Sequence, residues 1–157
     1  MERLKCEPGN LDIIINGNDY GNEVFDGQYD ALNGLMLKGD GKGNFAPQTM
    51  LQSGIYIPGD GKALVKLQSS TGSYMLAASQ NRGALKLFEL KRKVTNIKLE
   101  QGDKSAVVTY KNGTTQKQEF YYGSSFLSQS GRFMTVNKDV KSVQITNDKG
   151  QTRSLTF

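Results

Sequence analysis

The stretch Ala63-Leu64-Val65-Lys66-Leu67-Gln68-Ser69-Ser70-Thr71-Gly72-Ser73-Tyr74-Met75-Leu76-Ala77-Ala78-Ser79-Gln80-Asn81-Arg82-Gly83-Ala84-Leu85-Lys86-Leu87-Phe88-Glu89-Leu90 decides the fold class. It holds three short apolar runs, Ala63 to Leu67, Tyr74 to Ala78 and Leu85 to Leu90, joined by Ser69-Ser70-Thr71-Gly72 and Asn81-Arg82-Gly83. Runs of this length bounded by Gly, Asn and Ser have the signature of strands. The joints are too tight to hold a helix, so each strand must return beside its predecessor, and the stretch predicts an antiparallel meander.

The same grammar extends both ways. Toward the start, Leu11 to Ile15 is a continuous apolar run, expected to be a strand buried on both faces. Leu35-Met36-Leu37 follows, then Gly39-Asp40-Gly41-Lys42-Gly43-Asn44, a turn whose glycines supply positive φ, and then Phe45. Toward the end, Val94 to Leu99 alternates, Gln101-Gly102-Asp103-Lys104 turns the chain, and Ala106 to Tyr110 returns. Lys111-Asn112-Gly113 turns it again into Gln116 to Tyr121; an Asn-Gly pair between alternating segments is a strong hairpin signal. Phe133 to Val136, Ser142 to Thr146 and Arg153 to Phe157 complete the set, the last two joined by Asn147-Asp148-Lys149-Gly150. Helical leaning is confined to a turn around Ser124 to Ser130, so the expected class is all-β.

The 157 residues fit one domain or two small ones, enough to bury a core without metals or crosslinks. The formal charge of +5 is unevenly spread: residues 1–90 carry 8 Lys/Arg against 10 Asp/Glu, and residues 91–157 carry 12 against 5. The change falls at Lys91-Arg92-Lys93, which sets the expected boundary between a region 1–93 and a region 94–157. No Gly, Pro or Ser run separates them, so the two are expected to pack together. The basic half suits either a polyanion partner or lysines that keep strand faces soluble; the lysines alternate with apolar residues, which favours solubility, and no nucleic-acid partner is expected.

Histidine is absent, which removes Ser-His-Asp and Cys-His catalysis and histidine-ligated metals. Cys6 is the single cysteine, so an internal disulfide and a cysteine-rich zinc site are excluded. Carboxylate, Ser-Lys or Tyr chemistry and oxygen-ligated calcium remain, but no short motif shows such groups converging. No run approaches the roughly 20 apolar residues of a membrane helix. The start, Met1-Glu2-Arg3-Leu4-Lys5, lacks the apolar core of a secretory signal, so the chain is expected to be cytoplasmic or a piece of a longer exported protein.

Two segments carry a family resemblance. Gly34-Leu35-Met36-Leu37-Lys38-Gly39-Asp40-Gly41-Lys42-Gly43-Asn44-Phe45 resembles the blade signature of FG-GAP/VCBS repeat β-propellers. Asp26-Gly27-Gln28-Tyr29-Asp30-Ala31 and Ser53-Gly54-Ile55-Tyr56-Ile57-Pro58-Gly59-Asp60 are similar to the inter-blade stretches of bacterial members. Gln118-Glu119-Phe120-Tyr121-Tyr122-Gly123-Ser124-Ser125-Phe126-Leu127-Ser128-Gln129-Ser130 resembles the central motif of the ASPIC/UnbV domain, which follows such propellers. The resemblance implies a propeller-blade-like antiparallel meander over 1–93, packed against a smaller antiparallel ASPIC/UnbV-like β domain over 94–157. It also implies a bacterial parent in the periplasm or at the cell surface, acting in adhesion or ligand binding. The chain is too short for a closed propeller, which takes at least about four blades, and it lacks the family's Asp-x-Asp-x-Asp-Gly calcium loop. Open blade edges can be covered by the second region, by a second copy, or by further blades of the natural protein; the first two acting together are expected, with a possible homodimer.

Several residues are candidates for sites. Asn16-Gly17-Asn18-Asp19-Tyr20-Gly21-Asn22-Glu23 is read as a loop whose side chains cap its own backbone; the alternative, calcium, needs six to eight oxygens, and no cofactor is expected. Tyr20, Phe25, Tyr29 and Tyr56 fall in Gly-rich segments where aromatic rings can stack on sugars, with Asp19, Asp26 or Asp30 accepting hydroxyl hydrogen bonds; the alternative is edge packing. Tyr121, Tyr122, Phe126, Leu127, Ser128 and Gln129 form the second cluster, in which Gly123 permits a bend and Phe126 and Leu127 plug the seam between the regions. Asp26 and Asp30 are the carboxylate pair to weigh for glycan hydrolysis, but sequence shows no cleft around them. The expected function is non-enzymatic binding or adhesion through loops of the first region, ahead of a structural self-associating remnant and of a hydrolase.

Overall fold

A computed structural model describes residues 2–4, 10–123 and 128–157, and the fold is all-β. The decisive stretch forms β5 (Asp60–Gln68), β6 (Tyr74–Asn81) and β7 (Lys86–Leu90), paired antiparallel in order as the tight joints require. β1 (Glu2–Leu4) adds to β7 in parallel, giving a four-stranded sheet in the order β1-β7-β6-β5. β2 (Ile13–Ile15), β3 (Leu35–Gly39) and β4 (Phe45–Gln48) make a three-stranded antiparallel sheet. β9 (Asp103–Tyr110), β10 (Thr115–Glu119), β12 (Val140–Asn147) and β13 (Thr152–Thr156) form a second four-stranded sheet, β10-β9-β12-β13, and β8 (Thr95–Lys98) pairs with β11 (Phe133–Val136).

The hydrophobic core lies in two clusters. One gathers Met36, Ile55, Ile57, Leu76, Ala78 and Phe88 between the sheets of the first half. The other gathers residues from Ile97 to Ile145, with Met134, Val136 and Val143 among the most buried. β9 and β12 supply this second cluster from one face only, Ala106 and Val108 pointing in while Val107 is exposed, as a period of two dictates.

Four expectations are corrected. Leu11 to Ile15 is not buried on both faces: the strand covers only Ile13–Ile15, and Leu11 is 69% exposed. Its strand lies at the margin of its sheet, paired with β3 alone among the described strands, and Ile15 at its end is 38% exposed. β8 does not form a hairpin with β9 but pairs with β11 from beyond β10, Lys98 facing Phe133. Among the described residues one helical turn, α1 (Met50–Ser53), interrupts the β pattern, while most of the turn expected around Ser124 to Ser130 lies outside them; Thr49 caps α1, accepting the Gln52 N–H while Gln52 accepts the Thr49 N–H. Lastly, Gly41 and Gly43 do have positive φ, but Gly39 serves a different need: a Cβ there would lie 2.2 Å from the Leu11 carbonyl oxygen.

The open edge of β5 is covered within the chain. The Lys66 carbonyl accepts the Gly131 N–H at 2.8 Å, the Lys66 N–H donates to Ser130 Oγ at 3.1 Å, and Lys66 Nζ donates to the Phe133 carbonyl at 2.8 Å. Phe133 is 3% exposed; Tyr74 meets its ring edge-on at 5.9 Å between centroids, and the Lys66 ammonium lies 5.0 Å from its centre. Asn96 adds a second link, donating to the Gly72 carbonyl at 2.8 Å while accepting from Thr135 Oγ1. Burial lowers the Lys66 pKa, the cost of placing an ammonium at this seam. Phe126 and Leu127, expected to plug it, lie outside the described residues, as does Cys6.

Candidate functional site

The loop between β2 and β3 is built on polar side chains that replace a ladder. The N–H and carbonyl of Asp19 pair with the carbonyl and N–H of Tyr29, both at 2.9 Å, closing a loop whose ends meet. Inside it the Asp26 N–H donates to the Glu23 carbonyl, and the Asn22 amide donates to the carbonyls of Asp19 and Gly27. Asn18, 2% exposed, anchors the base: its amide donates to the Pro58 carbonyl and its Oδ1 accepts the Leu32 N–H at 2.8 Å. The Tyr20 hydroxyl donates to the same Pro58 carbonyl at 2.8 Å.

A β-bulge supplies the charge at this base. The β5–β6 register slips between Gly61 and Ala63, leaving Lys62 as the extra residue. Its ammonium reaches Asp60 at 2.6 Å and Asp19 at 2.9 Å, joining the loop to the sheet. Asp60 is 2% exposed; the Lys62 hydrogen bond, against the opposing effect of burial and with help from the Asn81 amide and the Tyr20 N–H, holds its carboxyl below the ordinary range. The same ammonium and the Gly21 N–H lower the pKa of Asp19, and the two carboxylates raise that of Lys62. Among the described residues no three His, Cys, Asp or Glu side chains gather to hold a metal ion.

What this scaffold presents is apolar. Val24 is 95% exposed, Phe25 88% and Tyr29 62%, on a loop whose own backbone hydrogen bonds are internal. Of the residues singled out in the sequence, the structure brings Asp19, Tyr20 and Tyr29 together, with Asp19 and Tyr20 spent on internal bonds and Tyr29 open to solvent. Asp26 and Asp30 are exposed on the same loop. Tyr56 is held elsewhere, between buried Ile55 and Ile57, with the Lys86 ammonium 5.9 Å from its ring centre. Lys62 and Asp60 do not stand out in the sequence because a bulge leaves no local signal, and nothing around Val24 marks its exposure.

The second cluster borders a groove of about 730 Å³ lined by Asp103, Lys104, Glu119, Tyr121, Tyr122 and neighbours. Lys117, Glu119 and Tyr121 share one face of the extended chain: Glu119 accepts from the Lys117 ammonium at 2.9 Å and from the Tyr121 hydroxyl. Those two bonds, the tyrosine's first, lower the Glu119 pKa, and Glu119 raises that of Tyr121. The Arg132 guanidinium stacks 4.0 Å from the centre of the Tyr122 ring. Gly123 has φ +71° and donates to Gln129 Oε1 at 3.2 Å, while Ser128 is half-buried.

No protein-family model, curated protein or solved structure matches this chain. No helix among the described residues is long and apolar enough to cross a membrane.

Proposed function

We propose that the chain is a non-enzymatic binding or adhesion module that engages a glycan or protein through the loop from Asp19 to Tyr29. The observation that carries this reading is the pairing of a stapled loop with an exposed tip: Phe25 and Tyr29 stand in solvent while Asn18, Asn22 and Lys62 hold the backbone beneath them. A loop whose backbone is already held loses little freedom on binding, and aromatic side chains, with few rotatable bonds, dominate recognition surfaces. The family resemblance adds an exported bacterial parent, a β-propeller followed by an ASPIC/UnbV-like domain, with regions 1–93 and 94–157 as its two pieces.

A glycan array followed by titration of the best neutral hit tests the reading. Phe25→Ala and Tyr29→Ala should each lose binding by about tenfold, the size of a modest hot spot, with unchanged melting temperature. Tyr20→Ala is a poor probe, since it also removes the bond to Pro58. An array empty of glycan hits, together with no protein partner lost on substituting Phe25, would refute it.

One observation favours a second reading, self-association. β10 pairs on one side only among the described strands, and its five residues are all exposed. Sedimentation equilibrium should then show a concentration-dependent dimer that Lys117→Pro abolishes, since the alternation of the β9–β10 ladder turns the Lys117 N–H away from β9; a monomer at all concentrations removes this reading.

A further inference from the structure

Away from the loop, a second surface gathers charge that the sequence scatters. A groove of about 520 Å³ is lined by Arg92, Lys93, Lys111 and Lys138, with Thr95, Asn137 and Phe157 among the residues between them. Its walls come from the approach to β8, the β9–β10 turn, the β11–β12 turn and the end of β13. Lys111 is fixed in place, its ammonium donating to the Lys138 carbonyl at 2.7 Å. Asp139 is the acid at this margin, 3.8 Å from Arg92, too long for a hydrogen bond, and Arg92 Nη2 is buried without a hydrogen-bond partner. Three lysines and an arginine around one concavity repel each other, and an anion would relieve that repulsion.

We propose that this groove binds an acidic polysaccharide, a chain bearing sulfate or uronate groups, independently of the loop at Phe25. Lysine ammonium groups offer point charges to such anions, and the Arg92 guanidinium adds a fixed positive charge to the groove wall. Thr95 and Asn137 present polar groups between the cations, where sugar hydroxyls would fall. Single-stranded nucleic acid suits the groove less well: its bases stack on successive aromatic side chains, and the lining here offers the ring of Phe157 alone.

The experiment measures affinity by fluorescence anisotropy for a size-defined heparin oligosaccharide, a neutral dextran of equal length, and single-stranded oligo(dT) of matched charge, at about 150 mM salt. The charge-reversed pair Lys93→Glu/Lys138→Glu, both exposed, should weaken heparin binding by at least about tenfold, each exposed ion pair being worth up to about fivefold. The control Lys98→Glu/Lys149→Glu alters net charge equally outside the groove and should stay within about threefold of the parent, its two lysines making no such contacts. Binding should fall with rising salt, and the Phe25→Ala variant should bind heparin like the parent. Equal losses in the control and groove variants, absence of heparin binding, or tighter binding of oligo(dT) that the groove variant loses, would each overturn the proposal.

Discussion

Arg153→Leu offers the sharpest test of how the second sheet is held. Asp103 opens β9 with a carboxylate 3% exposed, and Arg153 on β13 reaches it across the sheet with two parallel bonds, Nη1 to Oδ1 at 2.7 Å and Nη2 to Oδ2 at 2.6 Å. The Glu100 N–H adds a third bond at 2.7 Å. Losing one partner of a buried pair costs roughly 3–5 kcal/mol when the remaining charge is sealed from water. Here Arg153 is 33% exposed, so water enters when the guanidinium is gone, and the Arg132 charge still faces Asp103. The expected loss is therefore about 2–3 kcal/mol, between the value of one charged hydrogen bond and that of a sealed pair. At about 2–4 °C per kcal/mol for a chain of this size, the melting temperature should drop by roughly 5–10 °C at neutral pH.

The pH dependence of that loss is part of the prediction. Burial pushes the Asp103 carboxyl up, but the Arg153 fork, the Glu100 N–H and the nearby guanidinium charges outweigh it and leave the pKa depressed. A carboxyl whose folded pKa lies below its unfolded value contributes stability fully above about pH 3.9 and loses it as pH falls through the folded value. The gap between parent and Arg153→Leu, followed by circular dichroism melts from neutral pH downward, should thus narrow in acid. Asp103→Leu/Arg153→Leu should be more stable than Arg153→Leu alone, since it leaves no orphan charge. A single variant melting within about 1 °C of the parent at neutral pH, or a gap that widens in acid, would refute the reasoning.

Three further outcomes follow from the packing. Phe133→Ala removes the ring shared by Tyr74 and Lys66 and should cost about 3–5 kcal/mol in urea denaturation. Lys62→Met leaves Asp60 buried beside Asp19 without their ammonium, and should lower the melting temperature at neutral pH. Because both carboxylates have depressed pKa values, that deficit should shrink as pH falls below the ordinary carboxylate range. Gly39→Ala drives a methyl against the Leu11 carbonyl and should cost about 1–3 kcal/mol, whereas Gly150→Ser, at a turn with open space around its Cα, should cost only the strain of its positive φ, about 1 kcal/mol; differential scanning calorimetry compares the two.

The strands were legible because their signals are local. Period-two burial, as at Ala106 and Val108 in β9, and turns such as Asn112-Gly113 and Asn147 to Gly150 depend on residues within a few positions of each other. The Thr49 to Gln52 capping box is also a local signal, but a one-turn helix carries no periodicity to mark it, and α1 is not among the expected elements. The exposed aromatic candidates were half legible: composition placed Tyr29 in a Gly-rich loop, yet Tyr20 looked the same and is tied to Pro58.

Sequence alone determined that this chain is a set of short strands without imidazole chemistry, since strand formation and residue inventory are properties of neighbours and counts. Tertiary structure alone decided how strands distant along the chain lie beside one another, and hence what the loops and charges do. β8 finds β11 across some 35 residues, Ser130 and Gly131 settle on the edge of β5, and a bulge turns Lys62 toward Asp19 and Asp60. Four cations from three separate segments meet around one groove. Each of those outcomes is a free-energy balance between groups far apart along the chain, and no local pattern encodes it.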